Sequence, residues 1–396
     1  AAEDGASTRV TTTAEPGELR AMLYVLTDVH LCVEDCPNGV RRLAASREAY
    51  AAAMADIAGW DAALDAGVPR AIVILGDLAQ RPTAATWAAV AEPDRGGLPM
   101  CVIPGNHDGW DERGETRLRE LRERLDSPPC AYEGGHGVLD LGPWRIVLLD
   151  SSNGGANEGA LGDRQRAWLE ARLAEAPGTP TLLATHHPWA AHPAAFALGR
   201  DAKFTYLQDG DALEAILDRH AQVAAVLSGH VHVNWTGRRG AVAQLLFSAL
   251  VQYPMGWHSL ALYDGGFVRR YHPLAETAAE AAASAEEIRQ WVRSTGIPFA
   301  DGVTAVVYGG LADRSAAVAT STPAQVPDGG GGGEAARDGS GTSEPPGGDA
   351  GEEARDGGGA SATPAAATVV VRGDSASGAE AGSRAVPSRG SGCRCA

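Results

Sequence analysis

The chain has 396 residues, 44% of them apolar, enough to bury a large core in one or two domains. Its formal net charge of −17 repels polyphosphate backbones, which excludes broad electrostatic binding to DNA or RNA, though bound cations could still invert the sign of a local site. No apolar run approaches the roughly 18 residues of a membrane span, and the six scattered cysteines (Cys32, Cys36, Cys101, Cys130, Cys393, Cys395) form neither a CxxC pair nor a dense framework, so each is expected to be unpaired.

Residues 1–20 are polar and read as a flexible N-terminus. The opening "AAEDGASTRV" has no methionine and no apolar signal-peptide core, and a cytoplasmic setting is expected. From Met22 to Pro273, short apolar runs alternate with helical stretches. "AMLYVLT" (21–27), "AIVIL" (71–75), "MCVI" (100–103), "WRIVLL" (144–149), "TLLAT" (181–185) and "VAAVLS" (223–228) read as buried strands. Residues 41–66, closed by Gly67, and 114–125, 163–175 and 210–219 read as helices. This alternation predicts a layered α/β arrangement with sheet in the middle. "AVAQLLFSAL", "SLALYD" and "FVRRYH" follow as consecutive strands, and 275–295 is an Ala/Glu-rich helix.

From Ser321 the chain is rich in Gly, Ala, Ser and Pro, with ten acids, six arginines and no aromatic residue. Such a segment cannot bury enough apolar surface to offset its ordering entropy, so it is expected to be disordered. The terminal "CRCA" has a cysteine where a prenylation box calls for an aliphatic residue, and lipidation is not expected. The expected organisation is a flexible start (1–20), a catalytic domain (21–274), a helical or irregular extension (275–320) and an acidic disordered tail (321–396).

The ends of the predicted strands carry the chemistry. The first is followed by "TDVH", with Asp28 and His30. The second ends at Asp77 in "LGD", and the third runs into "PGNHD", with Asn106, His107 and Asp108. The strand at 181–185 leads to His186 and His187, and that at 223–228 to "GHVH", with His230 and His232. Side chains at i and i+2 of extended backbone share a face, so a His-x-His triplet can aim both imidazoles one way. Alone it reads more readily as a strand edge. Five polar clusters at the carboxyl ends of α/β strands read instead as one site. Imidazole and carboxylate without thiolate suit Mn, Fe or Zn, and this many groups fit two ions. A metal pair with a bridging hydroxide can clamp a phosphoryl group during in-line displacement.

D-x-H, G-D, G-N-H-D, H-H-P and G-H-x-H, in this order over about residues 22–272, resemble the calcineurin-like metallophosphoesterase superfamily. The resemblance implies a four-layer α/β/β/α sandwich with a dinuclear site at a sheet edge. It implies that Asp28, His30 and His232 hold one metal and that Asn106, His186 and His230 hold the other, with Asp77 bridging. It places His107 at the phosphoryl oxygens or leaving group, with Asp108 orienting it, and leaves His187 outside the ligand set.

Gln80, three residues after the bridging Asp77, replaces the tyrosine of purple acid phosphatases and the aspartate of protein phosphatases. "LLDSSNGG" (148–155), "GALGDRQRAWLEARL" (159–173) and "FSALVQYPMGWHSLALYDGG" (247–266) look more like the small class III phosphodiesterases. The expected function is hydrolysis of a small phosphodiester, of cyclic-nucleotide or glycerophosphodiester type, by a bridging hydroxide on two divalent or mixed-valence ions. The alternatives are a phosphomonoesterase of the same superfamily and a non-catalytic metal-binding scaffold. Substrate contacts are expected from Asn106 and His107, and from His192 and Lys203 in the loop at 189–209.

Overall fold

Apolar runs that are continuous in the sequence divide by parity in the structure. In strand β1 (Leu19–Leu26), Ala21, Leu23 and Val25 enter one buried cluster, while Met22, Tyr24 and Leu26 enter another. The same split separates Val73 from Ile72 and Ile74 in β2 (Arg70–Leu75), and Leu227 from Val226 in β8 (Val223–Ser228). A sheet covered on both faces requires this pattern. A computed structural model describes residues 17–109, 114–125, 129–190, 206–294 and 316–319. They fall within one unit, Ala1–Gly347; the expected tail with Cys393 and Cys395, and the loop residues His192 and Lys203, lie outside the described residues.

The first sheet has the order β13-β12-β11-β1-β2-β3, with β3 at Met100–Ile103, β11 at Gly256–Tyr263, β12 at Gly266–Pro273 and β13 at Ala316–Ala319. The second runs β4-β5-β6-β7-β8-β10-β9. Its members are β4 (Cys130–Glu133), β5 (His136–Leu141), β6 (Trp144–Leu148), β7 (Thr181–Ala184), β9 (Trp235–Arg239) and β10 (Val242–Leu246), besides β8. Strands β1, β2 and β3 are parallel to one another, as are β6, β7, β8 and β10.

Leu23, Val73 and Ile103 of the first sheet meet Ile146, Leu182, Leu227 and Leu245 of the second in the central core. Outside the first sheet pack α1 (Ser46–Asp61), α2 (Ala84–Ala91) and α3 (Gly114–Leu125), and outside the second α4 (Gly162–Glu175) and α5 (Gly210–Leu217). Each fully buried aliphatic side chain contributes about 1.5–3 kcal/mol. The four layers α/β/β/α are those expected from the sequence.

Three readings need correction. The helix expected over 41–66 starts only at Ser46 and ends at Asp61, well short of Gly67. The segment before it is tied elsewhere: Arg42 donates its amide to the Val251 carbonyl (2.7 Å), and its guanidinium pairs with Glu280 of α6 (Ala278–Ser294). The short strands β4, β5 and β9 and the eight-residue α2 carry weak periodicity and were not anticipated. Finally, four cysteines are paired rather than free. Cys32 bonds Cys36, and Cys101 on β3 bonds Cys130 on β4, joining the edge strands of the two sheets. Among the described residues no helix is long and apolar enough to cross a membrane.

Candidate metal centre

Pairing between parallel strands continues past their formal ends and sets the site. The Asp28 amide donates to the Gly76 carbonyl at 3.1 Å and the His30 amide to the Asp77 carbonyl at 2.8 Å, so two of the five motifs arrive level. In the second sheet the Gly229 amide donates to the His186 carbonyl at 3.0 Å, aligning two more. The chain then turns sharply. Asp28, His30, Asp77, His230 and His232 all have positive φ, from 42° to 66°, a left-handed region costly for side chains other than glycine.

These turns bring the side chains together across the two sheets. Asp28, His30 and His232 each offer an atom within 4.8 Å of the others, as do Asp28, Asp77 and His186. Asp77 spans the two groups, Oδ2 lying 3.5 Å from His30 Nε2 and Oδ1 3.4 Å from His186 Nε2. His186 Nε2 is also 3.2 Å from Asn106 Oδ1, and the His186 and His230 rings lie 5.1 Å apart. All seven expected ligands therefore meet at one place. Asp28, His30, Asp77 and His186 are almost completely buried.

The proton positions test whether cations fit here. His186 Nδ1 donates to the Leu75 carbonyl (2.8 Å) and His232 Nδ1 to Gln252 Oε1 (2.8 Å), so in each neutral imidazole Nε2 is a lone pair, to be filled by a metal ion or, where none is bound, by a proton. His232 Nε2 stands 3.0 Å from Asp28 Oδ1 and 3.2 Å from His30 Nε2. Asp28 Oδ1 itself is buried without a hydrogen-bond donor. Lone pairs facing each other in a dry interior are costly unless a cation lies among them. The donor set fits Lewis-acidic metal ions.

Electrostatics follow the same geometry. Burial works against charge on His186, but Asp77 beside it outweighs this and pushes the imidazole up to about 9. Against the opposing effect of burial, His186 holds the Asp77 carboxyl well below the usual carboxylate range. Burial together with the Arg41 charge pushes His30 well down. Burial together with His230 and His186 does the same for His187. Burial and Asp77 raise Asp108 to about 7.

A histidine with a raised folded pKa contributes stability that is full below its unfolded value, about 6.5, and is lost as the pH climbs through about 9. His30 and His187, both lowered, act on the acid side instead, and the slope from Asp108 lies below about 7. Chelator-treated protein should therefore lose melting temperature between about pH 7 and 9, and Mn²⁺ should abolish the slope. A flat profile in the chelated protein would refute the His186–Asp77 pairing.

The remaining expectations fare unevenly. Asp108 does not orient the His107 ring: its carboxylate accepts the amides of Leu78 (3.2 Å), Ala79 (3.0 Å) and Gly105 (2.9 Å), and so shapes the loop. His107 Nδ1 instead donates to the Gln80 carbonyl at 3.3 Å, and its backbone amide donates to Asp77 Oδ1 at 2.9 Å. His187, set aside in the sequence, joins His186 and His230 within 4.8 Å. Its Nδ1 meets Ser151 Oγ at 3.0 Å, while its buried Nε2 has no partner. Sequence reasoning missed two residues outright. Gln252 fixes the tautomer of His232 from the bend between β10 and β11, in a stretch notable in the sequence only for its likeness to the class III phosphodiesterases. Arg41 reaches His107 from a stretch that reads as helix.

The family model described as calcineurin-like phosphoesterase matches residues 22–234. The chain is 30% identical to 3′,5′-cyclic adenosine monophosphate phosphodiesterase CpdA of Escherichia coli (strain K12), over 66% of this chain and 92% of that protein. It is 31% identical to glycerophosphodiester phosphodiesterase GpdQ of Enterobacter lignolyticus (strain SCF1), over 47% of this chain and 64% of that one. In three dimensions it resembles a dimetal phosphatase from Danio rerio with a TM-score of 0.52, covering 65% of this chain and 98% of the other at 16% identity, a likeness of fold.

Proposed function

Because the chain belongs to the calcineurin-like phosphoesterase family, we propose that it is a metal-dependent phosphodiesterase acting on a small phosphodiester of cyclic-nucleotide or glycerophosphodiester type. The observation that carries this reading is the convergence of two buried carboxylates and several imidazole lone pairs from both sheets. Two divalent ions there, drawn from Mn, Fe and Zn, supply Lewis acidity toward phosphoryl oxygens and lower the pKa of water.

Asp28, His30 and His232 would hold one ion and Asn106, His186 and His230 the other, with Asp77 shared. Thr27 Oγ1 and the His230 amide both donate to Asp28 Oδ2, at 2.7 and 2.9 Å, which fixes that carboxylate and leaves Oδ1 aimed inward. His107, with its proton directed to Gln80 through Nδ1, presents Nε2 as an acceptor at the edge of the cluster. Asn106 and His107 would meet the phosphoryl group, and His192 and Lys203 remain candidates from the sequence. The complete ligand set weighs against a non-catalytic scaffold. As to setting, cystine pairs persist in oxidising compartments and are rare in the cytosol, so the two pairs oppose the cytoplasmic expectation.

The test is a panel with Mn²⁺ present: bis(4-nitrophenyl) phosphate, cyclic AMP, a glycerophosphodiester and 4-nitrophenyl phosphate. Cleavage of at least one natural diester, abolished by a chelator, is expected. Failure on every diester would overturn the reading.

A further inference from the structure

Arg41 sits on the loop between β1 and α1, and its neighbours are pinned from several directions. The Val40 carbonyl accepts from Ser284 Oγ of α6 at 2.7 Å, and the Arg42 amide donates to Val251 at 2.7 Å. The Arg41 carbonyl accepts the Gly39 amide at 3.0 Å, and upstream the Cys32–Cys36 bond closes the same loop. The side chain is thereby delivered to the metal centre. Its Nη1 lies 3.4 Å from Gln80 Oε1 and 3.5 Å from His107 Nε2. His107 in turn shares a 4.8 Å cluster with His30 and Asp77.

These contacts are at the long limit of hydrogen bonding, and both acceptors are neutral. They are too weak to explain an arginine as a structural clasp. Among the described residues no carboxylate forms an ion pair with Arg41, in a chain where acids outnumber bases by 50 to 33. Its charge is felt inside the site, where it adds to burial in holding His30 and His107 down. A guanidinium beside two divalent cations is repelled unless an anion lies between them. Two buried carboxylates would leave two charges of such a cation pair unbalanced, a bridging hydroxide would cancel one, and Arg41 restores the excess to two. The singly charged phosphate of a diester answers this excess less well than a phosphate with two charges.

We propose that Arg41, steadied by Gln80 against His107, is a substrate-binding residue that takes a non-bridging phosphate oxygen and extends the site from the singly charged phosphate of a diester to a terminal, doubly charged phosphate, which gains the more from it. This rests on the phosphoesterase reading of the site and widens it to phosphomonoesters. The guanidinium fork suits phosphate oxygens better than an ammonium, so lysine should replace it only in part.

The experiment compares wild type, Arg41→Ala and Arg41→Lys with Mn²⁺ on 4-nitrophenyl phosphate and bis(4-nitrophenyl) phosphate, with inorganic phosphate as inhibitor. Arg41→Ala should lose roughly 10- to 100-fold in kcat/KM for the monoester, the range for removing a hydrogen bond between charged groups, and less than about 3-fold for the diester. Arg41→Lys should fall between. The inhibition constant for phosphate should rise at least about 10-fold in Arg41→Ala, which decides the matter even if the monoester turns over slowly. Metal content and melting temperature should match wild type. Equal losses on both substrates, or an unchanged phosphate inhibition constant, would overturn the role of Arg41. A wild-type protein inactive on both substrates would instead overturn the phosphoesterase reading.

Discussion

Asp77→Asn is expected to lower kcat by at least about 10³-fold while the protein stays folded. Asp77, proposed above as the shared ligand, turns its two oxygens to different imidazoles, 3.5 Å from His30 and 3.4 Å from His186. Asparagine keeps the shape and can still accept the His107 amide, but it is neutral and turns an N–H donor toward a neighbouring ring. The charge that would hold two cations close together is lost. Groups that stabilise the transition-state charge at such sites are each worth about 10²–10³ in rate, and a shared ligand serves both ions at once. Steady-state kinetics on a diester with saturating Mn²⁺ and the bound metal per chain measure the effect. Full activity with two ions bound would show that the two halves of the site do not share this residue.

Gly105→Ala should be nearly as damaging, for a reason that involves no chemistry of its own. A Cβ at position 105 would fall on the Asp77 carboxyl group and its backbone nitrogen, neither of which can retreat from the end of β2. Overpacking against fixed backbone is expected to cost about 3 kcal/mol in unfolding free energy and to displace the shared carboxylate, with a fall in kcat to match. Gly59 provides the contrast. It lies inside α1, with nothing within 4 Å of the point an alanine methyl would occupy, and Gly59→Ala should add about 0.5–1 kcal/mol. Denaturant titration of the two variants measures both. A Gly105→Ala protein as stable and active as wild type would mean that this close approach is not needed.

The close approach also explains why the ligand motifs were so legible. In G-D, G-N-H-D and G-H-x-H a glycine precedes the ligand, and in the fold Gly76 abuts His186, Gly105 abuts Asp77 and Gly229 abuts Thr27 and Asp28. Each motif therefore records a tight crossing as well as a donor atom. The buried strands were visible because apolar residues on both faces leave continuous runs, and their parallel order then placed the ligands. What escaped was whatever depended on contacts between distant segments. Arg41 lies in a stretch whose local pattern is helical, and only the ties to Val251, Glu280 and Ser284 hold it as loop. Cys101 and Cys130 are brought together by the meeting of two sheet edges, which no spacing encodes. Asp108 looked like a partner for the adjacent ring because the two are neighbours in sequence, yet three amides claim it first.

The left-handed backbone of five candidate ligand residues has a consequence for the history of such a chain. Each holds a conformation that costs a side-chain-bearing residue on the order of 1 kcal/mol and that glycine adopts freely. Glycine at 28, 30, 77, 230 or 232 would relieve that backbone. At the buried positions it would also leave a cavity and unpaired donors, such as Thr27 Oγ1 and the His230 amide at Asp28, whose cost of about 2–5 kcal/mol outweighs the relief. The strain is thus borne by the hydrogen bonds around it, and asparagine, which tolerates this backbone and can keep such bonds, is the substitution by which a copy could keep the fold and abandon the reaction.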